Sequence, residues 1–240
     1  AGYRFSGRFT GQAMAAVPER PARVVVLSPS HRHAFRGLAF PSWAAFDTGL
    51  GRLPIDRPAL LALGAQVHES DAAHDKEHGI ETQLPFLARR WPGLPVVPLV
   101  IGEAEVAAVA QVIEALDAPG TLFVLSSDLS HFLNDAAARA SDAETARIIE
   151  QGEARLTGVQ ACGARAVAGW LASRPGKGSK ALRLGMGNSG DVTGDLARVV
   201  GYGAWAFYPI DAPSLAAPHR QTLLRTARRA LDLRLSTGRE

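Results

Sequence analysis

The sequence predicts an α/β fold: a three-layer domain with a central, largely parallel or mixed sheet and helices on both faces. Two observations carry that prediction. Three short apolar runs, "RVVVLSPSH", "LPVVPLVIG" and "TLFVLSSD", are rich in β-branched residues and end in polar turns, as buried strands do. Between the second and third lies "EAEVAAVAQVIEALDA", whose apolar residues recur at helical spacing. Strand, helix and strand then form a βαβ unit, which requires parallel strands with a helix packed on the sheet.

Taken in order, residues 23–31 form the first of these strands. "EHGIETQLPFL" opens a helix, with acidic residues at its positive N-terminal end. Strands follow at 94–102 and 121–128 on either side of the crossover helix, and Ala-rich helices at 135–151 and 159–172. "KALRLGMG" and "VVGYGAWAFY" read as later strands. After a Pro-containing break at 211–218, residues 214–235 place Leu223, Leu224, Ala227 and Leu231 on one helical face. The expected division is a domain over 1–209, then a linker and amphipathic helix over 210–240, which either packs back on the domain or begins another.

Composition narrows the function. A chain of 240 residues holds one large α/β domain, or one and part of a second. No apolar run approaches the roughly 18 residues of a transmembrane helix, and nothing resembles a signal peptide, so no membrane partner is expected. The single cysteine, Cys162, has no internal disulfide partner, which makes a cytoplasmic location the default. The net charge of +3 comes largely from an Arg-rich C-terminal run that reads as a solvated helix face. It has no recognition motif or aromatic stacking platform beside it, so no nucleic-acid partner is expected.

Several stretches carry candidate chemistry. "SPSH" and "SSDLSH" end two predicted parallel strands, and ligands of open α/β sheets bind at such strand ends. His31, Asp128 and His131 are therefore candidates for one crevice, with plain turn chemistry as the alternative. "GMGNSG" has the G-x-G-x-x-G spacing but no helix after it, so a glycine-rich turn is expected and NAD is not. "HDKEH" sets His74 and His78 four apart, but Glu77 adjoins the second histidine and the zinc-protease pattern fails. His78 and Glu81 are i, i+3 neighbours that could line a cleft. Cys162 in "VQACGARAV" is either a small buried hydrophobe or, at a helix N-terminus, a thiolate able to serve metal or redox chemistry.

Together these segments resemble the Memo family, also called AmmeMemoRadiSam system protein B. "AGYRFSG" is similar to that family's HAGYxYSG, "LSPSH" to its GPSH, "EHGIETQLPFL" to EHSIExxLPF and "FVLSSDLSH" to FVxSSDxxH. The Cys162–Gly163 pair resembles its cysteine motif, and "NSGDVTGD" with "VVGYGAWAF" resembles its closing strands. The order and spacing agree over about residues 1–209. The resemblance implies a class III extradiol dioxygenase-like fold and a mononuclear metal pocket. His31 and Cys162 match its ligands, Asp128 and His131 its pocket-lining pair, and Glu81 its motif glutamate. The family's first motif histidine would fall immediately before Ala1. Its EHS serine is Gly79 here, read as a small departure. "HRQTLLRTARRALDL" resembles the opening helix of AMMECR domains.

The expectation is a Memo-like protein with His31 and Cys162 as metal ligands and iron or copper as the metal, with zinc a third candidate. His131, Asp128 and Glu81 would be the catalytic groups of a redox or dioxygenase-like reaction. The substrate is an unidentified small molecule or peptide, and the radical-SAM and AMMECR-type proteins of the same system are expected partners. Two alternatives remain open. One is a non-catalytic module that binds a peptide or small ligand in the same pocket. The other is a Cys- or Ser-dependent hydrolase, although G-x-S-x-G is absent.

Overall fold

A computed structural model describes residues 2–210. The expected tail helix and the boundary of a second domain lie outside these residues. In chain order the elements are α1 (Tyr3–Ala15), β1 (Arg23–Pro29), β2 (Leu38–Phe40), β3 (Ala45–Asp47), β4 (Arg52–Pro54), α2 (Arg57–Ala62), β5 (His68–Glu69), α3 (Asp71–His74), α4 (His78–Glu81) and α5 (Leu84–Arg90). They continue with β6 (Val96–Ile101), α6 (Val106–Leu116), β7 (Thr121–Leu125), β8 (His131–Leu133), α7 (Asp135–Glu150), α8 (Ala164–Ala172), α9 (Arg174–Lys177), β9 (Ser179–Asn188), α10 (Gly190–Thr193) and β10 (Val199–Pro209).

The predicted βαβ unit is present, and the central sheet is mixed. Its order is β5-β2-β6-β1-β7, with β1 parallel to both β6 and β7 and β2 antiparallel to β6. Val24 to Leu27 and the whole of β6 are buried, which is why both read as unbroken apolar runs. β7 forms one edge of the sheet and is half-buried throughout. Helix α6 crosses from β6 to β7 and packs on α8. The two helices approach so closely at Gly169 that any Cβ there would overlap the side chain of Val109.

One expectation is made specific and two are corrected. "KALRLGMG" and "VVGYGAWAFY" are strands, but they pair antiparallel, with a bulge between Ala204 and Trp205, in a second sheet ordered β8-β10-β9. The helix expected over 159–172 starts only at Ala164, which leaves Cys162 in the turn before it. "EHGIETQLPFL" forms two short helices. Pro85 lacks an N–H and suits the first turn of a helix, so α5 begins afresh there. Helix α1 lies on the second sheet, where Phe9 stacks on Tyr202 at 6.2 Å between ring centroids.

Candidate functional site

β1 ends in Ser28 and Pro29, and the chain turns so that His31 stands just beyond the strand. Glu77 holds it there. The buried Glu77 carboxylate accepts from the His31 backbone N–H at 2.6 Å and pairs with the ring Nδ1 at 2.8 Å. It also accepts from the Gly79 N–H at 2.9 Å, which caps α4. Burial alone would raise the Glu77 carboxyl. The hydrogen bonds from His31 and Gly79 outweigh it and hold the group at about 2.

On the other side of His31 lies Cys162. Cys162 lines the same cavity, and its interaction with the imidazole, followed by those of Glu77, pushes His31 up to about 10 against the opposing effect of burial. His78 stacks on His31 with ring centroids 4.6 Å apart. Burial lowers His78, and the neighbouring His31 charge adds to that. Ligand atoms of His31, Glu77 and His78 all lie within 4.8 Å of one another.

The loop after β7 cradles the sulfur. The Asp128 N–H donates to Cys162 Sγ at 3.1 Å, and the Cys162 N–H donates to the Asp128 carbonyl at 3.2 Å. The Gly163 N–H donates to Ser127 Oγ at 2.9 Å. A Cβ at Gly163 would overlap the Ser126 carbonyl and lie 2.6 Å from Ser127 Cβ, so the glycine after the cysteine allows the loop this close. The loop is fixed from below as well. Ser130 N–H donates to the buried Asp142 carboxylate at 2.9 Å, and Ser130 and Leu129 exchange backbone bonds with Gly201 at 2.8 Å each. Burial raises the Asp142 carboxyl.

His31, His78, Asp128 and Cys162 all line one cavity of about 400 Å³. The crevice expected at the ends of β1 and β7 is therefore present, with the expected His31, Asp128 and Cys162 in it. The other two expected catalytic residues are placed elsewhere. His131 begins β8, stands opposite Val200 of β10 and packs beside Phe132, outside the cavity lining. Glu81 is exposed at the end of α4 and is also outside that lining; its carboxyl is raised by partial burial and then by Glu77 and Asp75. Glu77 is the residue the sequence reading passed over. Its adjacency to His78 broke the zinc-protease pattern, yet that adjacency places it as the N-cap of α4, facing His31.

The donors present suit a transition metal. Glu77 occupies Nδ1 of His31 and leaves Nε2 as its other donor, with a second imidazole stacked on it; the Cys162 thiol lines the same cavity but lies outside the 4.8 Å group of His31, Glu77 and His78. Imidazole with thiolate serves iron, copper or zinc.

Comparison with known proteins identifies the family and the fold. The family profile described as Memo-like protein matches residues 1–206. A MEMO1 family protein of Aquifex aeolicus is 32% identical, covering 84% of this chain and 81% of that protein. Another, from Methanopyrus kandleri, is 31% identical over 86% of this chain and 80% of its own length. Among solved structures, an uncharacterised protein of Escherichia coli K12 shares the fold, with a TM-score of 0.51 at 17% identity over 85% of this chain and 93% of that one.

Proposed function

Because the chain belongs to the Memo family, we propose that its cleft holds one transition-metal ion, with His31 and Cys162 as ligands and His78 as a third donor. The observation that supports this most is the clamp on His31. A buried carboxylate on one ring nitrogen fixes the ring and raises the basicity of the other nitrogen, as outer-shell carboxylates do for metal-bound histidines. The Asp128 N–H on Sγ fixes the position of the sulfur in the cavity. Iron or copper held by such donors would supply one-electron or O₂ chemistry to a small-molecule substrate. Asp128 lines the same cavity and would hold a proton or orient a water beside the ligands. Because His31 carries a proton up to about pH 10, loading a metal at neutral pH releases that proton, and affinity rises with pH.

A second reading has its own support. Cys162, His31 and Glu77 are linked as nucleophile, base and orienting acid. Titration of Fe(II), Cu(II) and Zn(II) into the protein, His31→Ala and Cys162→Ser separates the two. The metal reading expects a thiolate-to-copper charge-transfer band, metal protection of Cys162 against iodoacetamide, and copper affinity lower by roughly tenfold or more in Cys162→Ser, since the soft ligand is gone. Equal affinities in all three proteins, with stoichiometric acylation of Cys162 by an activated ester, would replace it with the nucleophile reading.

A further inference from the structure

The candidate donors stand on two separate pieces of chain. Glu77 and His78 belong to α4 and its N-cap, and Glu77 holds His31 to them, so that ligand atoms of all three lie within 4.8 Å of one another. Cys162 is outside that group and is held by the loop after β7, through the Asp128 N–H on Sγ. How near the sulfur comes to the two imidazoles therefore depends on what joins α4 to that loop.

The join is made at Ser126, the first residue after β7, which is buried. Helix α4 has four residues, too few to pair its own carbonyls, and the Gln83 N–H beyond it turns to Ile80. The Gly79 carbonyl is taken by Ser126, whose hydroxyl donates to it at 2.7 Å. Gln83 Nε2 donates to the same Oγ at 3.2 Å, so the hydroxyl has its proton and one lone pair committed and its direction is fixed. Gly79 in turn donates to Glu77, which holds His31, so three consecutive hydrogen bonds run from Ser126 to His31. The backbone of Ser126 reaches the rest of the site. Its N–H donates at 2.9 Å to Leu27 of β1, the strand that delivers His31. Its carbonyl fills the space that a Cβ on Gly163 would need, next to Cys162. An alanine at 126 would keep these backbone contacts and lose the one to α4, leaving the Gly79 carbonyl and the Gln83 amide unpaired.

We infer that Ser126 is a positioning residue: its hydroxyl ties α4 to the loop that cradles Cys162 and so brings the sulfur within reach of the same ion as His31 and His78. The inference rests on the metal reading given above and adds to it the residue that unites the two groups of donors.

Co(II) is the probe, because it does not oxidise a thiol and its thiolate charge-transfer band reports sulfur bound to the ion. It is titrated into the parent, Ser126→Ala and Ser173→Ala. Ser173 is a matched control. It is also a buried serine with two hydrogen bonds, donating to the Trp170 carbonyl and accepting from the Gly176 N–H, but it follows the last residue of α8 whereas Cys162 precedes the first. Each variant loses one hydroxyl, which a domain of this size survives. The parent should show the band, and cobalt should protect its Cys162 from iodoacetamide. Ser126→Ala should still bind cobalt through its imidazoles, with affinity lower by about tenfold or more, the band weakened at saturation and the protection of Cys162 lost. Ser173→Ala should match the parent in all three. An undiminished band at saturation in Ser126→Ala would overturn the inference and leave the metal reading standing. Equal losses in the two serine variants would also overturn it, since the effect would then be general loosening. A parent with no band would overturn the metal reading itself, and the inference with it.

Discussion

Glu77→Gln keeps the size of the side chain and removes its charge. The carboxylate takes three donors: the His31 N–H and Nδ1 and the Gly79 N–H. An amide has one oxygen, so in either orientation its NH₂ faces at least one of these donors. Leaving a buried donor unpaired costs about 1–3 kcal/mol, and losing charge assistance adds to it. The His31 side chain is 28% exposed, which screens part of the pair, so a net loss of about 2 kcal/mol is the working figure. For a domain of this size that lowers Tm by roughly 4–8 °C. The pH dependence follows from the two shifts. His31 is raised from 6.5 to about 10, so its contribution is complete below 6.5 and fades as pH rises through 10. Glu77 is lowered from 4.5 to about 2, so its contribution is complete above 4.5 and is lost as pH falls through 2. The Tm gap between the parent and Glu77→Gln should therefore be widest between pH 4.5 and 6.5 and close toward both extremes. Calorimetry across that range measures it, with the exposed Glu81→Gln as a control that stays within about 0.5 kcal/mol. A gap below about 1 °C at pH 6, or one that is flat with pH, would refute the clamp.

Two further outcomes follow from close contacts. Gly79→Ser should cost about 1–3 kcal/mol, because its Cβ would overlap Ser28 Oγ and lie 3.2 Å from Ser28 Cβ; adding Ser28→Gly should recover most of the loss in a double-mutant cycle read by urea unfolding. Gly201→Ala should cost a similar amount, since its Cβ would press on the Asp142 carboxylate that anchors Ser130; because the same loop cradles Cys162, iodoacetamide should also alkylate that thiol faster.

What was legible in the sequence divides along physical lines. β1 and β6 were readable because parallel strands buried on both faces appear as continuous β-branched runs, and the half-buried edge strand β7 shares that apolar, β-branched run. Strands β2 to β5 are two or three residues long, too short to show any period. Nothing local told β9 and β10 to leave the parallel sheet, since antiparallel pairing is a long-range choice. The strand-end rule pointed to the cavity that His31 and Asp128 line, and the motif resemblance pointed to Cys162 in the same lining. His131 lies outside that lining because the chain has already turned onto β10 at Gly201, so that residue belongs to the second sheet. The two glutamates lie differently for a related reason. Glu81 is the motif position, but one turn of α4 carries it to the surface, while Glu77, as the N-cap, faces inward.

The same lesson holds at the one motif departure that looked trivial. Against EHSIExxLPF the chain has Gly79 where the family pattern has serine. Against GPSH it has Ser28 where the pattern has glycine. Each looks minor by itself. In the structure the two positions touch: the fully buried Ser28 hydroxyl occupies the volume that a Cβ on Gly79 would need. A close-packed interior accepts one added side chain in that space and not two, so the serine has in effect changed sides of the contact. This matters for the site because Ser28 ends the strand that delivers His31, and Gly79 donates to the carboxylate that holds it. A pattern scored position by position counts two defects there, whereas the packing requires them together and leaves the clamp on His31 intact.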